Sequence, residues 1–258
     1  MMGTIFSSLP IWIIYIIIVL LIVFAVRSGI AYARWRRTQF LNENDSAINT
    51  LVGATLGLLA FILAFTFSMT TSRFDARKHF LLEEINSIET SWLRSDLVAA
   101  PYNSELQKAL VDYVEIRIWL IDNPEKVKQV IKKSQELQTK IWELITELNK
   151  SDLGNDIINA LLIDAVNDMF DNQTRRISIG VNDRIPNLIW IALFVLIIIA
   201  MFEVGYLLGK TEKSNWVLVF ALSMAFATIV VLIVDLDSSK GHITINNQSL
   251  YDLYDRIK

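Results

Sequence analysis

The sequence predicts an all-α membrane protein in which a helical extramembrane domain is inserted between the second and third of four membrane helices. Three observations support this fold class. Hydrophobic residues make up 53% of the 258 residues and the mean hydropathy is +0.41, as is usual for a multi-pass membrane protein with one polar domain. Four apolar segments are long enough to cross a bilayer. The polar middle of the chain has helical periodicity and no alternating strand pattern.

The first membrane helix is predicted at residues 9–26, an almost purely apolar run that is followed by four arginines. At about 1.5 Å per residue, this run matches the ~30 Å hydrocarbon thickness of a bilayer. It lacks the basic start and the small-residue cleavage site of a signal peptide, so we expect a retained helix. The other membrane helices are predicted at Thr50–Thr71, Pro186–Leu208 and Trp216–Val234.

The middle segment is predicted to be helical throughout. Pro101 and Pro124 fit the first turn of a helix, because the N–H that proline lacks has no partner there. The predicted helices cover about residues 72–98, 101–121, 124–149 and 156–178. The predicted domain organisation is two membrane helices in residues 1–71, the helical domain in 72–185, two membrane helices in 186–234 and a tail in 235–258.

Composition and motifs argue against several functions. The net charge of −3 gives no basic excess for binding nucleic acid. The absence of cysteine excludes disulfides and thiol catalysis, and the two histidines, His79 and His242, lie far apart in the sequence. No phosphate-binding loop, nucleophile elbow, zinc-protease helix or dinucleotide fingerprint is present. We therefore expect no enzyme activity, no cofactor and no metal site.

The second membrane helix has two unlike faces when its residues are placed 100° apart. One face is bulky and aliphatic, and the other carries small, hydroxyl and aromatic residues. The aliphatic face consists of Val52, Leu56, Leu59, Ile62, Leu63 and Met69. The other consists of Gly53, Ala54, Gly57, Ala60, Phe61, Ala64, Phe65, Ser68 and Thr71. Contact with lipid alone would not sort residues in this way, so the second face is predicted to line a conduit or a close helix contact.

Both interpretations of this face remain open. Gly53, Ala60 and Ala64 suit a close helix–helix interface, which needs small residues. Phe61 and Phe65 are either ordinary membrane-core aromatics or a hydrophobic constriction that gates by dewetting. In the second case a polar vestibule would follow the constriction, formed by Ser68, Thr71, Ser72 and Asp75.

Glu203 lies inside the third membrane helix. A carboxylate in hydrocarbon is costly unless it is paired, protonated or near water, so Glu203 is a candidate functional residue. The structural alternative is that it reaches the interface or pairs with Arg73 or Lys210.

Two further polar groups lie outside the apolar segments. Glu83, Asn86 and Arg94 follow one another at helical spacing and predict a polar network or, less simply, a regulatory ligand or ion site. Asp235 and Asp237 begin like a calcium loop, but lysine and asparagine stand where an EF-hand needs glycine and glutamate. These two aspartates are therefore expected to close the last membrane helix and to meet Arg73 or Arg77.

The exit of the second membrane helix resembles that of bestrophin channels, with Phe61 and Phe65 at spacing four and then Ser72–Lys78. The chain as a whole is more similar to a bacterial membrane family described as having a bestrophin-like domain. The matching segments are Phe74–Lys78, Glu83–Leu97 and Asp235–Leu253.

The resemblance implies a ring-shaped homo-oligomer, with a pentamer favoured, in which each second helix lines a narrow neck. Phe61 and Phe65 match two of the neck positions, whereas Gly57 stands where a bulky residue would form a third ring. Asp235 and Asp237 alone match the acidic calcium cluster of bestrophins, which is too few for a calcium clasp.

The membrane orientation is open at this stage. The flanks of the first helix favour an outside N-terminus and hence an external helical domain, whereas the resemblance implies a cytoplasmic one. The total count of basic residues, six in the short loops and seven on the other flanks, is nearly equal.

We therefore expect a multi-pass cell membrane protein of bacterial type that binds itself, the bilayer and inorganic ions, and that conducts anions. Anion preference follows from the resemblance alone. The alternative is a non-conducting membrane scaffold or sensor whose helical domain binds a partner or ligand.

Overall fold

The computed structural model describes residues 9–37, 45–151, 153, 155–182, 184–210, 216–238 and 243–258. These ranges contain helices and no strand. The helices are α1 (Ile11–Arg37), α2 (Asp45–Ser95), α3 (Tyr102–Asp122), α4 (Val127–Lys150), α5 (Asp156–Ile177), α6 (Asn187–Lys210), α7 (Trp216–Asp237) and α8 (Gln248–Ile257). A short 3₁₀ turn, Pro124–Lys126, precedes α4, and a π turn, Ser178–Asn182, follows α5.

The chain divides into two compact units. The first combines Met1–Phe74 with Arg184–Ile243, and the second combines Asp75–Asp183 with Thr244–Lys258. The boundary at Phe74 falls inside α2, which runs without interruption from the apolar segment into the polar one. The predicted C-terminal tail, residues 235–258, is divided between the two units. Its last part, Thr244–Lys258, includes α8 and belongs to the second unit.

The first unit carries the apolar helices. By length and composition, α1, α2, α6 and α7 could each cross a membrane. Their core is built from aliphatic residues of all four helices, with Trp190 of α6 fully buried among them. The predicted apolar segments are therefore found as helices at the expected places.

Close contact between α1 and α6 depends on glycine. A Cβ atom at Gly205 would meet the backbone of Val26, and a Cβ at Gly29 would meet the backbone of Phe202. At Gly209 a Cβ would lie 2.8 Å from the Ile30 carbonyl oxygen. Small residues allow membrane helices to approach this closely, because a larger side chain would hold the two backbones apart.

The second unit is a helical domain with its own core. Leu106, Leu110 and Tyr113 of α3 are fully buried against apolar residues of the other helices. Asn155 caps α5, where its side chain accepts hydrogen bonds from the backbone N–H groups of Ile157 and Ile158 at 3.1 and 3.4 Å. The boundaries predicted for α3, α4 and α5 agree with the structure to within about three residues.

Candidate functional site

The aliphatic face of α2 packs against the other helices of the first unit. Leu59 and Leu63 are buried in its core, Leu56 and Ile62 are partly buried against that core, and Val52 is also buried. Thr66 and Thr70, one and two turns further on, are also buried, and their hydroxyls donate to backbone carbonyl oxygens of the same helix. A polar residue on this buried face thus satisfies its hydrogen bonds within α2.

The opposite face of α2 packs against no other described residue of its own chain. Phe61 is 66% exposed and Phe65 52% exposed, although both are large aromatic residues on a helix long enough to span a membrane. A Cβ atom at Gly53 or Gly57 would have no neighbour within 4 Å. Exposure is shared by Gly53, Ala54, Gly57, Ala60, Phe61, Ala64, Phe65, Ser68, Ser72 and Asp75, whereas Thr71 is partly buried.

This face was predicted to line a conduit or to form a close helix contact, and the positions of its small residues bear on the second possibility. Gly53, Ala60 and Ala64 make no close helix contact within the chain in the part that the structure describes. The described residues therefore leave this face available for contact with another copy or another molecule. In the described part of the chain, the glycines that bring helices together lie between α1 and α6.

Asp235 and Asp237 are buried at the end of α7, within the first unit. Asp237 pairs with Arg73 at 3.5 Å, and its Oδ1 accepts a hydrogen bond of 3.1 Å from the backbone N–H of Ile185. Asp235 Oδ2 accepts from the backbone N–H of Ile243 at 2.8 Å. The expected pairing with Arg73 is present, and these carboxylates are engaged by donors of the chain itself.

Glu84 lies at the centre of a buried polar network in the second unit. Its Oε1 is 3.1 Å from Arg117 Nη2 and accepts from the Tyr113 hydroxyl at 3.1 Å, and its Oε2 is 2.8 Å from Arg176 Nε. Arg117 donates to the Tyr113 hydroxyl at 2.8 Å, and its guanidinium lies over the tyrosine ring. Two guanidinium groups thus share one carboxylate.

The network continues through two amide side chains. The Tyr113 hydroxyl lies 3.0 Å from Gln173 Oε1, which also accepts a short hydrogen bond from Gln138. Four helices are therefore connected by one chain of polar groups: α2 through Glu84, α3 through Tyr113, α4 through Gln138 and α5 through Gln173.

Burial changes the pKa values of the residues in this network. Burial raises the pKa of Tyr113, so the phenol stays neutral. Burial alone would lower the pKa of Arg117, but the charge of Glu84 and the contact with Tyr113 outweigh it and leave that pKa above its usual value. For Arg176 burial prevails over the attraction of Glu84 and lowers the pKa.

The buried polar network of this region is centred on Glu84, one residue from the predicted Glu83. Glu83 and Asn86 are exposed, and the buried carboxylate is that of Glu84, because Glu84 lies on the same side of α2 as the buried Leu81 and Ile88. Arg94 is directed to α5, where it donates to the Leu161 carbonyl and lies 3.9 Å from Asp164. Two features of the sequence could have predicted this network: Glu84 lies within an apolar stripe of α2, and Tyr113 and Arg117 are one helical turn apart in α3.

Glu203 lies on α6 in the first unit with no hydrogen-bond or ion-pair partner among the described residues. Its Oε2 atom is buried. The two expected partners are directed elsewhere, because Arg73 pairs with Asp237 and Lys210 lies over the ring of Tyr206. Across the described ranges, no three His, Asp or Glu side chains are close enough together to hold a metal ion.

Comparisons with known proteins identify a family from the sequence and a similar fold among solved structures. A model described as the Bestrophin-like domain matches residues 19–245. The fold is similar to the crystal structure of a bacterial bestrophin homologue from Klebsiella pneumoniae, with a TM-score of 0.69, 14% identity, and coverage of 96% of this chain and 97% of that one. Two single-substitution variants of that homologue match with TM-scores of 0.70, both at 14% identity, one covering 94% of this chain and 97% of the other, and one covering 96% and 98%. No curated protein matches the sequence.

Proposed function

Because the chain belongs to the Bestrophin-like family and is a multi-pass membrane protein with the fold of the bacterial bestrophin homologues, we propose that it forms an anion-conducting channel. In this proposal identical copies surround an axis, with a pentamer favoured. The face of α2 that packs against no other described residue of its own chain lines the conduit.

The observation that carries the proposal is the exposure of Phe61 and Phe65 beside exposed glycine and alanine. In a ring of α2 helices, Gly53, Ala60 and Ala64 allow neighbouring helices to approach, while the aromatic edge meets the axis. The two phenylalanine rings then form a hydrophobic constriction that excludes water and ions until it widens. Gly57, one turn before Phe61, leaves the conduit wide at that level.

Polar residues follow the constriction along α2. Ser68, Thr71, Ser72 and Asp75 form the proposed vestibule, with Ser68, Ser72 and Asp75 exposed. Hydroxyl groups can replace part of the hydration shell of an ion that leaves the neck. The preference for anions rests on the family to which the chain belongs.

Planar-bilayer recordings of the purified protein test this proposal. We expect currents that reverse at the chloride equilibrium potential, and larger or less strongly gated currents from the Phe61→Ala/Phe65→Ala double variant, because the neck is then wider and less hydrophobic. Phe220→Ala is the matched control, since Phe220 is a phenylalanine on α7 that is about as exposed as Phe65. If neither the wild-type protein nor the double variant conducts, the channel proposal is wrong and the non-conducting scaffold or sensor replaces it.

A further inference from the structure

The side of α2 that carries Phe61 and Phe65 continues beyond the apolar segment. His79 follows Phe61 by 18 residues, which is five full turns of a helix with about 3.6 residues per turn. Glu83 follows Phe65 by the same interval. Because α2 is one uninterrupted helix, His79 and Glu83 lie on the same side of it as the two phenylalanines. Along this side, aromatic residues are therefore followed by titratable ones.

Asp75 lies one turn before His79 and joins this side, so that Asp75, His79 and Glu83 form a titratable stripe on α2. All three belong to the second unit and are exposed. The ring of His79 lies 5.2 Å from that of its neighbour Phe80, measured between centroids. In the part of the chain that the structure describes, no residue forms a hydrogen bond or an ion pair with any of the three side chains. The two carboxylates are therefore not neutralised by the described residues.

The basic neighbours of the titratable stripe lie on other sides of α2. Arg77 and Lys78 directly precede His79, but at about 100° per residue they fall about 160° and about 100° away from it around the helix. The charged groups beside His79 on its own side of α2 are Asp75 and Glu83, each at spacing four. The stripe is therefore negative, and it becomes less negative when His79 gains a proton.

We propose that the titratable stripe lines the conduit further along α2 than the neck, and that protonation of His79 raises the conductance for anions. The inference rests on the proposed function, in which identical copies of α2 surround an axis. Each of the three residues then forms a ring of like side chains. Acidic rings favour cations in a pore and basic rings favour anions, so Asp75 and Glu83 oppose the passage of an anion that leaves the neck.

Histidine makes this part of the conduit responsive to pH. The ordinary pKa of an imidazole is about 6.5, whereas carboxylates stay ionised near neutral pH. An imidazolium at His79 meets a carboxylate one turn away on either side, which is a favourable spacing for opposite charges on a helix. Acidification adds one positive charge per copy to the ring. The field that opposes anions is thereby weakened, and chloride conductance rises as pH falls.

Single-channel chloride conductance in planar bilayers tests the role of His79, in about 0.1 M salt at about pH 8 and about pH 5.5. We expect the wild-type conductance to rise about twofold or more on acidification. His79→Gln should keep the low value at both pH values, and His79→Arg the high one. His242→Gln removes the other histidine of the chain and should respond like the wild-type protein. Near 1 M salt the response should shrink, because the Debye length falls to about 3 Å.

The acidic rings are tested at about pH 8, where His79→Gln and the wild-type protein should conduct alike. Asp75→Asn/Glu83→Gln should then raise the chloride conductance about twofold or more, because the charges that oppose anions are removed. Glu143→Gln is the matched control, since it removes an exposed carboxylate of α4 that lies outside the titratable stripe. It should leave the conductance unchanged.

Two outcomes would overturn this inference and leave the channel standing: a chloride current that does not depend on pH, or a pH response that survives in His79→Gln. An unchanged current in Asp75→Asn/Glu83→Gln would likewise show that the stripe does not face the conduit. Should His79→Gln fail to fold, His79→Arg carries the test, because it must conduct at pH 8 as the wild-type protein does at pH 5.5. Absence of current from every protein would overturn the proposed function and this inference with it.

Discussion

At the scale of single residues, burial separates two adjacent glutamates. Glu83 is exposed, whereas Glu84 is held between Arg117 and Arg176 and close to the Tyr113 hydroxyl. A buried ion pair adds little stability over an apolar pair of the same volume, but removing one partner leaves the other buried and unpaired. Glu84 is therefore expected to be intolerant of change and Glu83 tolerant.

The first prediction compares these two neighbours. Glu84→Gln should lower the free energy of unfolding by about 3–5 kcal/mol, because two guanidinium groups then share no carboxylate. Glu83→Gln, at an exposed site, should change it by less than about 0.5 kcal/mol. Thermal unfolding of both purified variants measures the difference, and similar melting temperatures would contradict the central role of Glu84.

The second prediction concerns alkaline pH. The pKa of Tyr113 is raised by burial, while an unfolded phenol ionises near about pH 10. Above that pH the unfolded chain has lost a proton that the folded protein keeps, so the stabilising contribution is complete below about pH 10 and declines as pH rises. Melting temperatures from about pH 9 to about pH 11 should fall more steeply for the wild-type protein than for Tyr113→Phe. If the melting temperatures of the two proteins fall in parallel with pH, burial does not raise the pKa of Tyr113.

At the scale of elements, α2 is one helix of 51 residues that belongs to both units. Its aliphatic face is buried in the first unit, and its glycine, alanine and phenylalanine face is not. The sorting of residues around the helix thus coincides with a sorting by burial. A helix that must pack its own chain on one side and face an axis or a second copy on the other requires this pattern.

The third prediction uses the absence of native cysteine. In a conducting ring, Phe65→Cys and Ser68→Cys should react with a water-soluble thiol reagent, because both would line a hydrated conduit. Leu59→Cys and Leu63→Cys should not react, since these positions are buried within the chain. Labelling in vesicles, followed by mass measurement, gives the pattern. Unreactive cysteine at 65 and 68 in every condition would favour the non-conducting alternative.

The fourth prediction concerns the contact of α1 with α6. Gly205→Ala should destabilise the protein by about 1–3 kcal/mol or more, because the added Cβ would overlap the backbone of Val26. Gly180→Ala is the matched control, since a Cβ there meets nothing within 4 Å. Thermal unfolding in detergent compares the two, and equal stability would show that the helices can separate without cost.

At the scale of the whole molecule, the described residues of one chain leave one face of the apolar part of α2 exposed. Contiguous apolar exposure on a helix indicates contact with lipid or with another protein surface. Glycine and alanine at Gly53, Ala60 and Ala64 suit a protein surface better than lipid, because they permit close backbone contact. An assembly of several copies around α2 would bury this face.

The fifth prediction is the symmetry of that assembly. Electron microscopy of the purified protein should show a closed ring, with five subunits favoured, and an axial lumen lined by residues 53–72. Closed rings are the expected result of head-to-tail contacts between identical copies. A two-fold dimer without a lumen would contradict the channel and support the scaffold.

The sequence by itself determined the features that depend on local composition and periodicity. The four apolar helices, the helical second unit and the two faces of α2 could all be predicted, because each is encoded in neighbouring residues. The exit of α2 as an unbroken helix was predictable for the same reason, since no proline or glycine interrupts residues 58–95.

Only the tertiary structure decided which distant residues meet. The sequence places Glu84 in an apolar stripe, but it does not show that Arg117 and Arg176 of other helices meet this carboxylate. Among the described residues, Gly29, Gly205 and Gly209 bring helices together, although Gly53 and Gly57 have the more suggestive spacing. The partners of Glu84 and the contacts of the glycines both depend on which surfaces of distant helices pack together. Packing of the whole core determines those surfaces, and no single segment of the sequence does.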